Sequence, residues 1–323
     1  MFDSITLLGI FTYCCSDKHG KNRRSKIRIC YTVTHEVLPF MCQRTNIEIE
    51  CRIMKKRLYL FFIAITLVTN VLYAQNNINL TDAASVAMGG NTTTASSLQS
   101  ILGNPALFSK DNTKKIITVG AQNRFQLSEL NLFTAGVMIK KKDNAFGVQM
   151  QYIGVTDLRQ IGFGLSYGRR IFSKLDIASR VHFSQLDLGV YGKKAILDAD
   201  LGLYSALNKQ ISFGFWAKNL IHSKLSSEEN TQTALHLGFC YTPSDKVKLC
   251  AETEKYISKQ VRFKAGLEYL AAKNFAFRAG FQSAPSMPTF GVGYLSKTIK
   301  LDISAALHPN LGVVSAFNIS YSL

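Results

Sequence analysis

The stretch TIKLDISAAL, residues 298–307, alternates apolar and polar side chains with a period of two. Ile299 and Leu301 fall on one side of an extended chain, whereas Lys300 and Asp302 fall on the other. Because successive side chains of a β-strand point to opposite faces, this spacing predicts a strand with one apolar and one polar face.

The same alternation recurs from residue 116 to residue 323, for example over 261–269 and 313–323. Turn-forming clusters interrupt it roughly every 8 to 12 residues. The pattern predicts about fourteen strands, each long enough to cross a bilayer when tilted. Their centres fall near residues 120, 135, 149, 165, 179, 201, 215, 237, 250, 265, 278, 292, 302 and 318.

An apolar-faced sheet in lipid cannot leave its edges open, because each unpaired backbone group costs several kcal/mol there. The sequence therefore predicts an all-β fold, a transmembrane antiparallel β-barrel over residues 113–323. We expect it in the cell outer membrane, with the lipid of that membrane as its surroundings.

The polar faces of these strands carry charges that we expect to line the lumen. They form a charged ladder of Glu252, Glu254, Arg262, Lys264, Glu268 and Arg278, with Asp302 beyond it. Opposite charges can lie side by side across the hairpin that joins residues 252–254 to 262–264. Such a ladder is either a selectivity constriction or a salt-bridge network that fills a narrow lumen.

The predicted connections form two groups, one on each rim of the barrel. Short, mostly basic turns are expected at 140–143, 169–170, 208–209, 244–246, 272–274 and 296–297, and longer loops at 185–195, 220–231, 282–289 and 307–312. Short turns face the periplasm in outer-membrane barrels. The basic rim could contact a periplasmic partner, or it could be attracted to lipid phosphates.

Residues 54–74, MKKRLYLFFIAITLVTNVLYA, have the charged start, apolar run and small final residue of a secretory signal peptide. A retained transmembrane helix is the alternative. Residues 1–53 precede this signal and carry five of the seven cysteines, so we interpret them as a non-native upstream extension and Met54 as the true start.

The remaining chain has few features of other protein classes. Without residues 1–74 it loses eleven of 38 basic and five of 21 acidic residues, which leaves a dispersed net charge of +11 and argues against nucleic-acid binding.

Cys240 and Cys250 remain and flank a turn, where they are either a disulfide or two free thiols.

Residues 75–112 are small and polar, and we expect them to lie in or under the barrel as a plug-like segment. Asn104 is placed to cap a short helical turn that has Pro105 in its first position.

No motif predicts catalysis, a metal or a cofactor. Residues 164–168 match G-x-S-x-G, but Ser166 lies inside an alternating strand and no helix follows. His182 and His236 fall on predicted lumenal faces without ligand-spaced partners, so we interpret them as solvated pore histidines.

The residues Met88-Gly89-Gly90, then Asn104-Pro105-Ala106 and a run of strands, resemble the FadL-like outer-membrane proteins, and especially the PorV/PorQ group associated with type IX secretion. The resemblance spans residues 78–323 and implies a fourteen-stranded barrel with an N-terminal segment in the lumen. Leu323 stands where these proteins usually end in an aromatic residue.

Two functions follow from this resemblance. The first is a non-enzymatic secretion accessory that scaffolds or shuttles exported cargo, with secretion-system components or the cargo as partners. The alternative is a FadL-like passive channel or transporter for hydrophobic or small solutes. A lumen filled by residues 76–112 would favour the first, and an apolar pocket with a lateral opening the second.

Overall fold

The computed structural model describes residues 82–95, 99–110, 113–155, 158–223, 230–257 and 259–323, all within one compact unit, Asn76–Leu323. Fourteen strands make up most of it. They are β1 (Lys115–Arg124), β2 (Leu127–Lys141), β3 (Asn144–Val155), β4 (Leu158–Phe172), β5 (Leu175–Asp187), β6 (Lys193–Ala206), β7 (Ile211–Lys218), β8 (Ala234–Ser244), β9 (Val247–Tyr256), β10 (Arg262–Leu270), β11 (Phe275–Ser283), β12 (Ser286–Leu295), β13 (Ile299–His308) and β14 (Gly312–Ser322).

Each strand pairs with its neighbours in sequence, and β1 pairs with β14, so the sheet is a closed barrel. All pairs are antiparallel; β1 and β14, for example, align Ile116 with Ser322 and Gly120 with Asn318. The predicted fold is confirmed, and every predicted strand centre falls inside an observed strand.

The two faces of the wall differ as the alternation predicts. In β13, Ile303 is 63% exposed on the outside, whereas Asp302 and Ser304 are buried on the inside. In β10, Phe263 and Leu267 are exposed while Lys264 and Glu268 are buried. The exposed apolar band is suited to lipid, and closure gives every strand a hydrogen-bonded neighbour on each side.

Two predicted connections were wrong. Residues 169–170, expected as a turn, lie inside β4, which continues to Phe172. Residues 282–289, expected as a longer loop, contain only Ala284 and Pro285 between two strands, because Pro288 is accommodated within β12. The strands extend beyond the apolar stretches that identified them, so polar composition alone did not mark their ends.

The helical elements are short. Helix α1 spans Ala83–Ala87, α2 spans Gln99–Leu102, and 3-10 helices cover Pro105–Ser109 and Gly189–Tyr191. Within the described residues, no helix is long and apolar enough to span a bilayer. The predicted extension (1–53) and signal peptide (54–74) lie outside the described residues, as does part of the predicted plug-like segment.

Candidate functional site

Residues 82–95 and 99–110, here called the inner segment, run along the inside of the barrel wall. Their contacts are with inward-facing groups, and eight strand glycines provide the space for them. At each one an added Cβ would lie under 3.0 Å from an atom of the inner segment: Gly136, Gly168, Gly202, Gly214, Gly238, Gly266, Gly280 and Gly291. We call these the socket glycines.

The predicted motif Gly89-Gly90 forms the turn that follows α1. Both residues have positive φ, +72° and +78°, which favours glycine. A Cβ at Gly89 would lie 2.6 Å from the carbonyl oxygens of Ala265 and Phe281, so the backbone lies directly on the wall. The Thr289 hydroxyl fixes the turn by accepting from the Gly89 amide at 3.0 Å and donating to the Ala87 carbonyl at 2.9 Å.

Glu252 of β9 holds the next residues of the inner segment. Its Oε2 accepts hydrogen bonds from the backbone amides of Thr92 at 2.7 Å and Thr93 at 2.9 Å. Lys264 of β10 donates to Oε1 of Glu252 at 2.9 Å and to the Gly90 carbonyl at 3.0 Å. The buried Glu252–Lys264 ion pair therefore accepts hydrogen bonds from two backbone amides of the inner segment and donates one to a backbone carbonyl.

Asn104 holds the second half of the inner segment and is fully buried. Its Oδ1 accepts from the Ala106 amide at 3.0 Å, which caps the 3-10 helix that starts at Pro105, as the sequence predicts. Its Nδ2 lies 3.1 Å from the Leu203 carbonyl of β6 and 3.2 Å from the Thr93 carbonyl. Asn104 thus ties the two halves of the inner segment to each other and to the wall.

The charged ladder lies in the lumen, and each member has a partner. The hairpin register sets Arg262 opposite Glu254 and Lys264 opposite Glu252. The ion-pair distances are 3.1 Å for Arg262–Glu254, 2.9 Å for Lys264–Glu252, 2.7 Å for Lys248–Glu268, 2.6 Å for Arg278–Glu268 and 2.6 Å for Arg278–Asp302. This arrangement corresponds to the salt-bridge network rather than to an uncompensated constriction.

The interpretation of His236 as a solvated pore histidine was wrong. It is 2% exposed, its ring stacks on Trp216 at 4.7 Å, and its Nδ1 lies 3.0 Å from Oε1 of Glu252. His236, Glu252 and Glu254 each place a potential metal-ligand atom within 4.8 Å of the others. Lys264 pairs with both carboxylates and Arg262 pairs with Glu254, so two positive side chains compensate the two carboxylates without a metal ion.

His182 also has a partner, Asp200, whose Oδ1 lies 3.2 Å from its Nε2. The neighbouring Arg180 is almost fully buried and donates to the Gly103 carbonyl of the inner segment at 2.8 Å. Sequence reasoning missed Arg180, because its partner is 77 residues earlier in the chain.

Cys240 and Cys250 are joined by a disulfide between directly opposed positions of β8 and β9. The bridge faces inward and packs against Met88 and Ala95 of the inner segment. It therefore braces the hairpin that also carries Glu252.

Ser166 lies in the middle of β4 and packs against Gly147 of β3. The strand continues for six residues beyond it and leads through a short turn into β5. The strand–turn–helix geometry of a nucleophile elbow is not formed here.

The outer wall over β7–β11 has two shallow apolar hollows of about 400 and 600 Å³. Ala251 and Ala265 floor both, and exposed phenylalanines such as Phe239 and Phe281 flank them. These hollows face the lipid, whereas the inner segment occupies the lumen behind them.

Comparison with known proteins identifies the fold. No protein-family model matches the sequence, and no curated protein is similar to it in sequence. The crystal structure of the Pseudomonas putida toluene transporter TodX matches with a TM-score of 0.59 at 12% identity, covering 76% of this chain and 99% of TodX. A Pseudomonas aeruginosa FadL homologue matches with a TM-score of 0.56 at 10% identity, covering 76% and 98%.

Identities this low show the fold alone. The resemblance to the PorV/PorQ group stays a prediction. The chain has the fold of the FadL-type outer-membrane barrels.

Proposed function

We propose that the protein is a non-enzymatic outer-membrane channel for small or hydrophobic solutes and that the inner segment is its gate. The observation that carries the proposal is that this segment lies inside the lumen against the wall, held by hydrogen bonds and packing. Non-covalent contacts of this kind can be broken and remade, as a gate requires.

The electrostatics of the lumen favour uncharged solutes. The charged ladder is neutralised internally by the ion pairs described above, so it offers no net field that would attract one kind of ion. The similarity to TodX, which is described as a toluene transporter, supports a solute of the same apolar class.

A reversible lock tests the gate. A Cβ built at Gly136 lies 3.6 Å from the Cβ of Ile101, within the range of about 3.5–4.5 Å that a disulfide requires. We expect the double variant Ile101→Cys/Gly136→Cys to block flux when oxidised and to recover it when reduced. Arabinose-driven liposome swelling reports small neutral solutes, and toluene uptake by a complemented deletion strain reports apolar ones.

The two single-cysteine variants and the reduced wild type control for side-chain loss and for the native disulfide. If the oxidised lock passes solute as fast as the wild type, the inner segment is not the gate. If the wild type passes neither solute, the channel proposal itself fails.

A second candidate is the secretion accessory implied by the PorV/PorQ resemblance. One observation favours it: Ala87, Thr93, Leu107 and their neighbours are fully buried, so the lumen is occupied at their level. Deletion of the gene would then retain exported cargo in the cell and leave solute uptake unchanged. Co-purification of the tagged barrel with secretion components would point the same way.

A further inference from the structure

One rim of the barrel carries a lysine at every connection. This rim contains the start of β1, the end of β14 and six short turns. The lysines are Lys114 before β1 and then Lys142, Lys174, Lys209, Lys246, Lys273 and Lys297, one in each turn. All seven are exposed. With the exposed flanking residues Lys115, Lys141 and Arg169 they form what we call the basic girdle.

The girdle is strongly charged and confined to one side. Its ten basic residues face only two exposed acidic residues in the turns of this rim, Asp143 and Asp245, which leaves an excess of eight positive charges. In the described parts of the connections on the opposite rim, Lys259 is the one charged residue.

A second, independent feature places the girdle at membrane height. Five outward-facing tyrosines lie near this rim: Tyr167, Tyr241, Tyr269, Tyr294 and Tyr321. Four of them are the second-last to fourth-last residues of their strands. Tyrosine has an apolar ring and a polar hydroxyl, so it concentrates at the boundary between acyl chains and headgroups. The girdle lysines lie in the turns just beyond these tyrosines, so their ammonium groups can reach lipid phosphates.

We propose that the basic girdle binds the anionic headgroups of phospholipids in the leaflet on the terminus side, which is the periplasmic leaflet for short-turned barrels. The distribution of the girdle around the rim favours lipid over a protein as its partner. A protein partner docks on one sector of a rim, whereas the girdle is distributed around the whole circumference. A continuous shell of lipid is the partner that meets a barrel from every direction.

The test measures lipid selectivity directly. The full-length mature protein is reconstituted in phosphatidylcholine vesicles, and spin-labelled phosphatidylglycerol and phosphatidylcholine compete for the shell around the barrel. We expect phosphatidylglycerol to be preferred, by up to about fivefold for a headgroup near one lysine. The preference should fall as salt is added, because exposed charges are screened within about 10 Å at 0.1 M salt.

A matched pair of variants locates the effect. Lys246→Gln/Lys273→Gln removes two girdle charges, and Lys193→Gln/Lys255→Gln removes two exposed charges outside the girdle, toward the opposite rim. We expect only the first to lower the preference, and a variant with all six turn lysines changed to Gln to lower it further. Heat-modified gel mobility confirms folding, and the salt series on the wild type needs no variant.

Three outcomes would overturn the proposal: no preference in the wild type, equal loss in both paired variants, or a preference that salt does not change. Binding of free glycerol phosphate to the detergent-solubilised protein with no vesicle preference would also reject a lipid surface. Saturable capture of a single periplasmic protein without lipid selectivity would identify the girdle as a protein-docking rim instead.

Discussion

Replacing Glu252 by Gln should release the inner segment from the wall. In the wild type, Oε2 accepts two backbone amides and Oε1 accepts the Lys264 ammonium. Glutamine keeps one acceptor and places an NH₂ donor against either the amides or the ammonium. Removing one partner of a buried ion pair costs about 3–5 kcal/mol. At about 1.4 kcal/mol per tenfold, the undocked population should rise by about two to four orders of magnitude.

The two amides report on this change directly. Hydrogen exchange at Thr92 and Thr93, followed by mass spectrometry on overlapping peptides, measures how often their bonds to Glu252 open. We expect the protection of both amides to fall by about 10²–10⁴-fold in the Gln variant. The barrel strands should keep theirs, because their ladders do not involve this carboxylate.

Glu254→Gln is the matched control. Glu254 is equally buried, two residues away on the same strand, and pairs with Arg262 and Lys264. A general loss of lumenal charge would deprotect Thr92 and Thr93 in both variants. Equal protection in Glu252→Gln and the wild type would refute the role given to Glu252, and equal deprotection in both variants would reduce it to a general electrostatic effect.

Two further changes test the packing and the charge of the inner segment. Gly202→Ala should destabilise the docked state by about 1–3 kcal/mol, because the new methyl group meets the Asn104 side chain. Faster hydrogen exchange of the Ala106 amide would report this loss. Gly164→Ala is the control and should cost less, since its methyl group meets the flexible side chain of Gln149. Burial raises the pKa of Asp82 to about 6, so docking of α1 should be strongest below pH ~4 and should weaken by about 3 kcal/mol as the pH rises past 6. In Asp82→Asn the exchange of α1 amides, corrected for intrinsic rates, should lose this pH dependence; its persistence would assign it to another group.

The barrel could be predicted from sequence because lipid acts on every strand separately. Most outward residues at membrane height are apolar, so the period of two appears within ten residues and needs no long-range information. The inside–outside assignment of Asp302 and Ile303 followed from this alone. Strand ends are set by hydrogen bonding at the rim, where water tolerates any polar residue, and the pattern therefore missed that β4 continues past Arg169 and Arg170.

In the lumenal site, only the contacts between residues close together in sequence could be predicted. Glu252 and Lys264 belong to neighbouring strands of one hairpin, so their pairing follows from register. The bonds from Glu252 to Thr92 and Thr93 span about 160 residues, and no periodicity connects those positions. His236 is a different case, because its partners Trp216 and Glu252 lie on the two adjacent strands, and the alternation shows only the face on which His236 lies and not the alignment of β8 with its neighbours.

The socket glycines were the sequence feature that could have indicated where the inner segment packs against the wall. Glycine in a strand interior is destabilising by roughly 0.5–1 kcal/mol relative to alanine, so eight of them cost the wall roughly 4–8 kcal/mol. That cost is offset only while the inner segment fills the grooves they leave. If the segment undocks, its contacts with the wall are lost, whereas the cost of the glycines is the same in both arrangements. The docked arrangement is therefore the ground state of this barrel, and a ligand or partner that binds the open arrangement more tightly would raise the population of open barrels.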